Sequence, residues 1–279
     1  DGVSPVSERR VDGIPKIIHT IWLSARPDAN STNSSAIGDN SIPPDGPIPN
    51  YLSRNLARYE EQHPGYKVLV WTNKDIIQTF PELSEIMKVL TAHKRYLSWL
   101  SDVLRFAVLL KMGGIYLDTD FEAIKSMEPL REAFPDGFTT CVLPTAKDKL
   151  VHPDDIESVL DFVLPPGECT NVNCGQIGAP PGHPAILKSY ATAIHNSFRH
   201  FKVVEKGDYA GSAFFSGPRV WTDSVGLYNF TVLMGELFYP CPVKRRRHCK
   251  ASDYEDDAYA FAMHKWTGSW KKDALTEEE

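Results

Sequence analysis

The 279-residue sequence has no run of about 18 apolar residues, so it predicts no membrane-spanning helix. It also lacks an excess of positive charge: 30 Lys and Arg residues stand against 36 Asp and Glu residues, which gives no support to nucleic-acid binding. No Cys/His spacing typical of a zinc site is present. With 42% hydrophobic residues, the composition is that of a globular protein with one large domain or two small ones.

Cysteine is scarce, and the five cysteines form two pairs close in sequence and one single residue. The pairs are Cys169 with Cys174 and Cys241 with Cys249, and both lie in segments typical of loops. We expect one or two local disulfides within these pairs, with Cys141 as the free thiol in an apolar strand.

Three sequons, at Asn30, Asn33 and Asn229, permit N-glycosylation. Together with the cysteine pairs, they predict a protein of the secretory lumen. The chain starts at Asp1 rather than at methionine, so we expect a processed chain whose signal or anchor precedes this residue.

Alternating strand and helix patterns predict one domain over residues 14–270, between a polar tail at 1–13 and a charged tail at 271–279. Strands are expected at 14–22, 66–71, 115–117, 139–144 and 259–264. Helices are expected at 51–62, after 72–75, at 97–112, at 183–201 and at 218–228. This order favours parallel strands joined by crossover helices. Loop insertions are expected near 24–50 and 144–170, a loop or short strand at 173–178, and an extended piece at 238–242.

The most informative segment runs from Ser101 to Phe121. Apolar residues at helical spacing lead to Gly113-Gly114, where a residue with positive φ ends a helix. A β-prone run then follows, and because strand side chains alternate, Asp118 and Asp120 are expected to project to the same side. The pattern predicts a helix, a sharp stop and a strand that ends in two neighbouring carboxylates.

Two converging carboxylates repel each other unless a cation joins them, and a divalent ion with open positions is typically completed by substrate phosphates. The alternative is a strand end with two solvated aspartates, which is common for an isolated D-x-D. The preceding helix favours the metal site, because Asp102 and Arg105 lie at i and i+3 and share one helix face. For that pair the alternative is a surface ion pair of little energetic value.

Five blocks spanning roughly residues 14–270 make the chain resemble the D-x-D glycosyltransferases of family 32, a family with fungal α-1,6-mannosyltransferases and inositol-phosphoceramide mannosyltransferases. It is also similar to the lactosylceramide α-1,4-galactosyltransferases. The blocks are Ile14-Pro-Lys-Ile-Ile-His-Thr-Ile-Trp22, Trp71-Thr72, Ser101-Asp102 through Asp120, Ser216-Gly-Pro218 with Trp221-Thr-Asp223, and His264-Lys-Trp-Thr-Gly-Ser-Trp270. The resemblance implies a GT-A-type fold: a Rossmann-like mixed sheet, mostly parallel, flanked by helices.

The resemblance also implies a metal-dependent, retaining transfer from a nucleotide-sugar donor. His264 is then expected to join Asp118 and Asp120 as a ligand of Mn²⁺ or Mg²⁺. Asp102 would hold donor-sugar hydroxyls and Arg105 would orient the sugar or phosphate, so that both join Asp120 in the catalytic set. No further carboxylate stands out as a nucleophile, which favours departure and attack on one face of the sugar.

Other donor contacts follow from the position of each residue. Because open α/β sheets bind ligands beyond the carboxyl ends of their strands, Trp22, Trp71 and Thr72 are expected at the nucleotide base, with core tryptophan as the alternative. His19 is interpreted as structural. The remaining candidates are Asn173 and Gln176 for sugar hydroxyls, Gly217 for close backbone approach, Lys265 and Lys271 for the diphosphate, and Trp270 in the last block.

The leading hypothesis is a Golgi-lumenal, type II membrane hexosyltransferase that moves mannose from GDP-mannose to a glycan or glycolipid by an α-1,6 transfer. The alternatives are an α-1,4 transfer from UDP-galactose or UDP-N-acetylglucosamine, a catalytically inactive sugar-binding domain, and a Ca²⁺-stabilised structural domain. No nucleic-acid partner is expected, and contact with a membrane is expected only through the missing anchor.

Overall fold

The computed structural model describes residues 13–25, 41–91, 96–144, 158–204, 216–228, 230–241 and 248–265. The three sequons at Asn30, Asn33 and Asn229 lie outside the described residues, as do Trp270 and Lys271. None of the helices in the described ranges has both the length and the apolar character that crossing a membrane requires.

The described residues form eight strands and seven α-helices. The strands are β1 Ile17–Ile21, β2 Lys67–Trp71, β3 Gly114–Leu117, β4 Phe121–Ala123, β5 Phe138–Pro144, β6 Cys169–Ala179, β7 Thr231–Leu233 and β8 Ala262–His264. The helices are α1 Asn50–Gln62, α2 Asn73–Thr79, α3 Ser84–Leu90, α4 Leu97–Met112, α5 Glu128–Ala133, α6 Pro184–Val204 and α7 Pro218–Leu227. Short 3-10 turns occupy Pro81–Leu83, Val159–Phe162, Gly235–Leu237 and Ala251–Tyr254.

Six strands form the main sheet in the order β2-β1-β3-β6-β5-β7. β1 runs parallel to β2 and β3, and β5 runs parallel to β7, whereas β6 is antiparallel to both of its neighbours. Five of the six strands therefore point in one direction. This confirms the predicted mixed, mostly parallel α/β sheet, and it brings the carboxyl ends of β1, β2 and β3 to one edge. A second, two-stranded sheet pairs β4 with β8 in antiparallel orientation.

Apolar layers cover both faces of the main sheet. One layer packs α4, α6 and α7 against the sheet through residues such as Leu104, Ile186 and Trp221, all fully buried. The opposite layer contains Tyr59 of α1 together with a set of aromatic residues, which are Phe121, Phe138 and Phe238. α4 is buried nearly all round, including its charged residues Asp102 and Arg105, so its position relative to the sheet is fixed.

The helix stop before β3 has the predicted geometry. Gly113 and Gly114 adopt φ values of 64° and 103°, in the region that favours glycine. A Cβ added at Gly114 would lie 2.7 Å from the carbonyl oxygen of Ile17, so β1 and β3 approach each other too closely for a side chain there. The two glycines therefore end α4 and allow the chain to enter the centre of the sheet.

Several sequence-based boundaries were wrong. Residues 173–178 belong to β6, an 11-residue strand rather than a loop or short strand. The last strand is limited to Ala262–His264 rather than residues 259–264.

The disulfide prediction was right for one pair and wrong for the other. Cys241 pairs with Cys249 as expected, but Cys169 pairs with Cys141, and the buried Cys174 is the free thiol. Cys169 and Cys174 are five residues apart on one extended strand, about 16 Å at ordinary strand rise, too far for a disulfide. The neighbouring strand β5 instead brings Cys141 next to Cys169.

Candidate active site

The two aspartates of the D-x-D motif lie in a tight turn between β3 and β4 rather than in the strand itself. The turn is closed by the Phe121 N–H, which donates to the Asp118 carbonyl at 3.1 Å. Helix α1 holds it from outside: Asn55 Nδ2 donates to the carbonyl of residue 119 at 3.1 Å, and the Tyr59 hydroxyl donates to the Phe121 carbonyl at 2.7 Å. The carboxylates of Asp118 and Asp120 thus converge because of the turn, and strand alternation was the wrong reason for a correct expectation.

A third potential ligand reaches this turn from the second sheet. β4 and β8 pair with Phe121 opposite His264, which places the imidazole Nε2 3.1 Å from Asp120 Oδ1. One ligand atom each from Asp118, Asp120 and His264 lie within 4.8 Å of one another. Burial lowers the pKa of His264, but Asp120 and then Asp118 outweigh that effect, so the pKa is raised. The predicted metal-binding triad is therefore assembled in one place.

The chemistry of these three side chains fits a divalent cation. Two carboxylate oxygens and one imidazole nitrogen form a mixed oxygen and nitrogen set, in which the carboxylates suit Mg²⁺ or Mn²⁺ and the imidazole favours a transition metal. Gly175 on β6 makes room for the turn, since a Cβ there would lie 2.5 Å from Asp118 Oδ2. The Asp118 side chain is 31% exposed and that of Asp120 is 11% exposed, so the site opens to solvent on the Asp118 side.

Two buried groups hold the other oxygen of Asp118. The Tyr116 hydroxyl donates to Asp118 Oδ1 at 2.8 Å, and the Arg105 guanidinium lies 3.3 Å from the same oxygen. Tyr116 is itself supported by Ser101, whose hydroxyl lies 3.3 Å from the Tyr116 hydroxyl. Because both partners contact Oδ1, they fix the rotation of the carboxylate and present Oδ2 on the side of Gly175.

Asp102 and Arg105 form a buried ion pair rather than a surface pair. Arg105 Nη2 lies 2.9 Å from Asp102 Oδ1, and the Ser216 hydroxyl donates to Asp102 Oδ2 at 2.9 Å. Arg105 Nη1 donates to the Cys174 carbonyl at 2.5 Å, and the guanidinium carbon lies 4.8 Å from the centre of the Tyr116 ring. The guanidinium is thus held on several sides, and the surface ion pair that the sequence left open does not occur.

Burial and the neighbouring charges shift the pKa values of both members of this pair. Burial raises the pKa of Asp102 to about 6, although Arg105 and Ser216 both act in the opposite direction. Burial also disfavours the charged form of Arg105, but the nearby acidic groups, Asp118 first, outweigh it and raise the Arg105 pKa. A charged guanidinium therefore lies between a carboxylate of the predicted metal site and a carboxylate whose pKa is raised to about 6.

Gly217 lies immediately before α7 and packs against the Asp102 carboxylate. A Cβ added to Gly217 would lie 2.7 Å from Asp102 Oδ2, so glycine permits the close approach of the two segments. The close contact with Asp102 therefore explains by itself why residue 217 is a glycine. Approach of a ligand to this backbone remains a prediction.

Residues 49–135 match the family model described as "Glycosyltransferase sugar-binding region containing DXD motif". The matched range includes the Asp102–Arg105 pair and the turn with Asp118 and Asp120. Over this range the chain is similar to the D-x-D glycosyltransferases of family 32. This match supports the resemblance predicted from the sequence, and the mixed, mostly parallel sheet agrees with the expected GT-A-type fold.

Two relatives from the fission yeast Schizosaccharomyces pombe are similar in sequence. Inositol phosphoceramide mannosyltransferase 1 is 25% identical over 196 residues, covering 68% of this chain and 45% of the relative. Inositol phosphoceramide mannosyltransferase 3 is 27% identical over 143 residues, covering 48% of this chain and 34% of the relative. The matched regions therefore span less than half the length of these curated relatives.

Solved structures with similarity to this chain include other sugar transferases. The PaToxG glycosyltransferase gives a TM-score of 0.43 at 17% identity, covering 77% of this chain and 69% of that chain. The UDP-bound glycosyltransferase domain from the YGT toxin gives 0.42 at 9% identity and covers 80% of each chain. Mouse xyloside xylosyltransferase 1 gives 0.37 at 13% identity, covering 90% of this chain and 98% of that chain.

The candidates for base contact follow β1 and β2 as expected, but they differ in their surroundings. Trp71 is buried, and its indole N–H donates to His19 Nδ1 at 3.0 Å, while His19 Nε2 lies 2.8 Å from the Gly113 carbonyl. This core position agrees with the structural alternative for Trp71 and with the interpretation of His19. Trp22 is only partly buried, with its indole N–H bonded to the Pro47 carbonyl at 3.1 Å.

Thr72 caps the N-terminus of α2. Its hydroxyl and the Asp75 carboxylate form a capping box, and the hydroxyl also lies 2.9 Å from Asp45 Oδ2. This local role explains the residue type by itself. Contact of Thr72 with a nucleotide base, like that of Trp22 and Trp71, stays a prediction.

The polar candidates near the C-terminal strands are placed differently from one another. The Asn173 amide donates to the Tyr239 hydroxyl and accepts from the Gly175 N–H, beside Asp118. Lys265 donates its backbone N–H to the Asp120 carbonyl at 2.9 Å, but its ammonium is directed to the Cys249 carbonyl at 2.9 Å. Contact of this ammonium with a diphosphate remains a prediction.

Sequence reasoning missed four residues that touch the charged groups of this site: Tyr116, Cys174, Gly175 and Ser216. For Tyr116 a signal existed, because it lies two residues before Asp118 on a strand, where side chains share a face. For Ser216 and Cys174 no local pattern indicates Asp102 and Arg105 as partners, since 69 or more residues separate them.

Proposed function

We propose that this chain is a metal-dependent, retaining glycosyltransferase that moves mannose from GDP-mannose, in α-linkage, to a glycan or glycolipid acceptor. One observation carries the proposal: the Asp118–Asp120–His264 triad and the buried Asp102–Arg105 pair are joined by the contact of Arg105 with Asp118. A cation site and a site for polar hydroxyls are thus adjacent, as a substrate with both a diphosphate and a sugar requires.

The three ligand side chains would hold Mn²⁺ or Mg²⁺. When bound, such an ion supplies neutralisation of the negative charge that develops on the departing nucleoside diphosphate. Asp120 is held against His264, and Asp118 is held by Tyr116 and Arg105, so the ligands are oriented before the donor arrives. Groups oriented in advance cost no reorganisation when the charge develops.

Arg105 and Asp102 would act on the sugar. The Arg105 guanidinium is fixed by Asp102, by the Cys174 carbonyl and by the Tyr116 ring, so its charge stays next to the triad. Asp102 offers a carboxylate that can accept hydrogen bonds from sugar hydroxyls. Departure and attack on one face of the sugar stays an inference from the sequence, in which no further carboxylate stands out as a nucleophile.

The donor and the acceptor are inferred from the relatives. Both yeast relatives are named as mannosyltransferases of inositol phosphoceramide, which supports mannose as the sugar and a glycolipid acceptor. GDP as the nucleotide follows from the resemblance alone. Transfer to an α-1,6 position and a Golgi-lumenal location follow from the resemblance alone. The two disulfides support a secretory compartment. Transfer from UDP-galactose or UDP-N-acetylglucosamine is the second candidate, and an inactive sugar-binding domain is the third.

A donor panel tests this proposal. Release of free nucleotide is measured from GDP-mannose, UDP-galactose and UDP-N-acetylglucosamine, with Mn²⁺ and with EDTA. We expect release from GDP-mannose only with metal, and a loss of at least ~100-fold in Asp120→Asn. Glu122→Gln is the matched control, since this acid two residues further on faces Lys265 at 3.7 Å and is not in the triad.

Each other outcome has a defined meaning. Faster nucleotide release from a UDP-sugar than from GDP-mannose would show that the UDP-sugar is the donor. Binding of a donor without any nucleotide release would support the inactive sugar-binding domain. Full activity in EDTA, or in Asp120→Asn, would contradict the metal-dependent mechanism.

A further inference from the structure

Two buried polar side chains on neighbouring strands have no hydrogen-bond partner in the described part of the chain. They are Gln176 on β6, with both its amide nitrogen and oxygen, and Thr140 on β5, with its hydroxyl. Both residues are 0% exposed. Buried polar groups in native proteins nearly always have a partner, and each one without a partner costs about 1–3 kcal/mol. Three such atoms at one place need an explanation.

The strand pairing places the two side chains on the same face of the sheet. Gln176 is paired with Leu117 of β3, which belongs to the apolar layer with Phe121. β5 and β6 pair with residue 138 opposite 178 and residue 139 opposite 177, and Thr140 and Gln176 are the next residues along the two strands. Thr139 accepts from Trp221 in the opposite layer, and side chains alternate along a strand, so Thr140 faces the layer of Gln176.

The pairing of β5 with β6 is irregular at this point. From the pair Thr139–Ile177 to the pair Cys141–Val172, β5 advances by two residues and β6 by five. Such a bulge leaves ladder hydrogen bonds unmade. The Thr139 hydroxyl replaces part of the ladder by donating towards the carbonyls of Asn173 and Gln176, at 2.8 Å and 3.0 Å. The unpaired side chains therefore lie where the strands themselves supply few partners.

We propose that Gln176 and Thr140 form a binding site for an internal water molecule. Side chains on one face of neighbouring strands have Cβ atoms about 5–8 Å apart, and polar groups just beyond direct contact are commonly bridged by one water. Water can accept from the amide N–H or the hydroxyl and can donate to the amide oxygen, which satisfies all three atoms. The amide and the hydroxyl are neutral, which fits water rather than an ion, and complete burial excludes a sugar.

The position of this site links it to the D-x-D turn. Gln176 is paired with Leu117, the residue before Asp118, and the carbonyl of Gly175 accepts the Asp118 N–H at 2.8 Å. The water thus supports the part of β6 against which the first aspartate of the motif is placed. This role does not depend on which sugar nucleotide is bound.

Single and double substitutions test the proposal through the melting temperature, Tm. Gln176→Met and Thr140→Val each remove polar atoms with little change in shape. We expect each to lower Tm by about 2–6 °C, because each breaks the bonds of the same water. In the double variant Tm should fall by about as much as in one single variant, because either single substitution already removes the water.

Thr20→Val is the matched control. Thr20 on β1 is 1% exposed, and its hydroxyl also lacks a partner among the described residues, but its register neighbour on β2 is the apolar Val70. Removal of this hydroxyl should leave Tm unchanged or raise it. A high-resolution crystal structure should show a water about 2.7–3.2 Å from the Gln176 amide. A rise in Tm for Gln176→Met and Thr140→Val, or the absence of that water, would overturn the proposal.

Discussion

Arg105 Nη2 lies 3.3 Å from Asp118 Oδ1, so a buried guanidinium on α4 directly contacts the first aspartate of the D-x-D turn. The same nitrogen lies 2.9 Å from Asp102 Oδ1. Arg105 therefore bridges a carboxylate proposed to bind the sugar and a carboxylate proposed to bind the metal. Because removing one partner of a buried charge cluster leaves the others uncompensated, this contact couples the two halves of the site.

The room that Gly175 provides for Asp118 leads to a prediction about metal affinity. In Gly175→Ala the new Cβ would lie 2.5 Å from Asp118 Oδ2 and 3.0 Å from Asn173 Oδ1, so the carboxylate must move. We expect Mn²⁺ affinity, measured by titration calorimetry or electron paramagnetic resonance, to fall by about 10-fold or more.

Gly226→Ala is the control for this substitution. Gly226 lies in α7, and a Cβ there meets nothing within 4 Å. This variant should keep its Mn²⁺ affinity and gain up to about 1 kcal/mol of stability from the better helix former. An unchanged Mn²⁺ dissociation constant in Gly175→Ala would show that Asp118 does not bind the ion from this side.

The cysteine arrangement predicts one concealed thiol per chain. Cys141–Cys169 and Cys241–Cys249 are disulfides, and burial raises the pKa of the remaining Cys174. A thiol reagent should therefore react with one group per chain, and only after denaturation without reductant. Cys174→Ala should abolish that reaction. Peptide mapping that found Cys169 bonded to Cys174 would contradict the observed pairing.

The fold was largely predictable where the signals are local. Periodicity and the two glycines at 113 and 114 identify α4 and β3 without reference to the rest of the chain. β6 was predicted only as a loop or short strand because Asn173-Cys-Gly-Gln-Ile-Gly178 is small and polar, a composition typical of loops. This segment is a strand because β3 and β5 supply hydrogen-bond partners on both sides, and a single-sequence pattern does not contain those contacts.

The same distinction holds for the site. Asp118 and Asp120 are neighbours in sequence, and His264 was found through the resemblance rather than through any spacing. The contact of Cys174 with Arg105 and that of Ser216 with Asp102 cross 69 and 114 residues. Their existence depends on how β6 and the start of α7 pack on α4, which is a property of the tertiary structure.

His19 makes the fold sensitive to acid. Burial lowers the pKa of His19 to about 4 from its ordinary value of 6.5, so the native state binds this proton less tightly than the unfolded state does. The folded state keeps its full stability above the pKa that His19 has in the unfolded chain. As the pH falls from there towards about 4, the free energy of unfolding decreases by up to about 3 kcal/mol.

Urea unfolding of His19→Gln at several pH values checks this prediction. Near neutral pH the variant should be less stable than the parent, because the bonds to Trp71 and Gly113 are altered. The difference should shrink as the pH falls through the range between the two pKa values. His195→Gln, an exchange at an exposed position on α6, controls for histidine removal in general. A difference in unfolding free energy that stays constant with pH would contradict the assignment of the proton to His19.

Asp102 gives a pH dependence of the opposite sign. Burial raises the pKa of Asp102 to about 6 from its ordinary value of 3.8. Its contribution to stability is therefore full below pH 3.8, the pKa in the unfolded state, and is lost as the pH rises through about 6. Asp102→Asn does not ionise. The variant should therefore gain stability relative to the parent between about pH 4 and pH 7, by about 3 kcal/mol at most.

Ionisation of Asp102 should lower stability but raise activity. The ionised carboxylate is the form that pairs with the Arg105 guanidinium and accepts hydrogen bonds from hydroxyls, so donor turnover by the parent should rise with pH through about 6. Asp102→Asn should have low turnover without this rise. Unfolding free energies and initial rates of both proteins, measured over the same pH series, decide the point. A parent whose rate is flat across that range would show that Asp102 does not titrate there in the working enzyme.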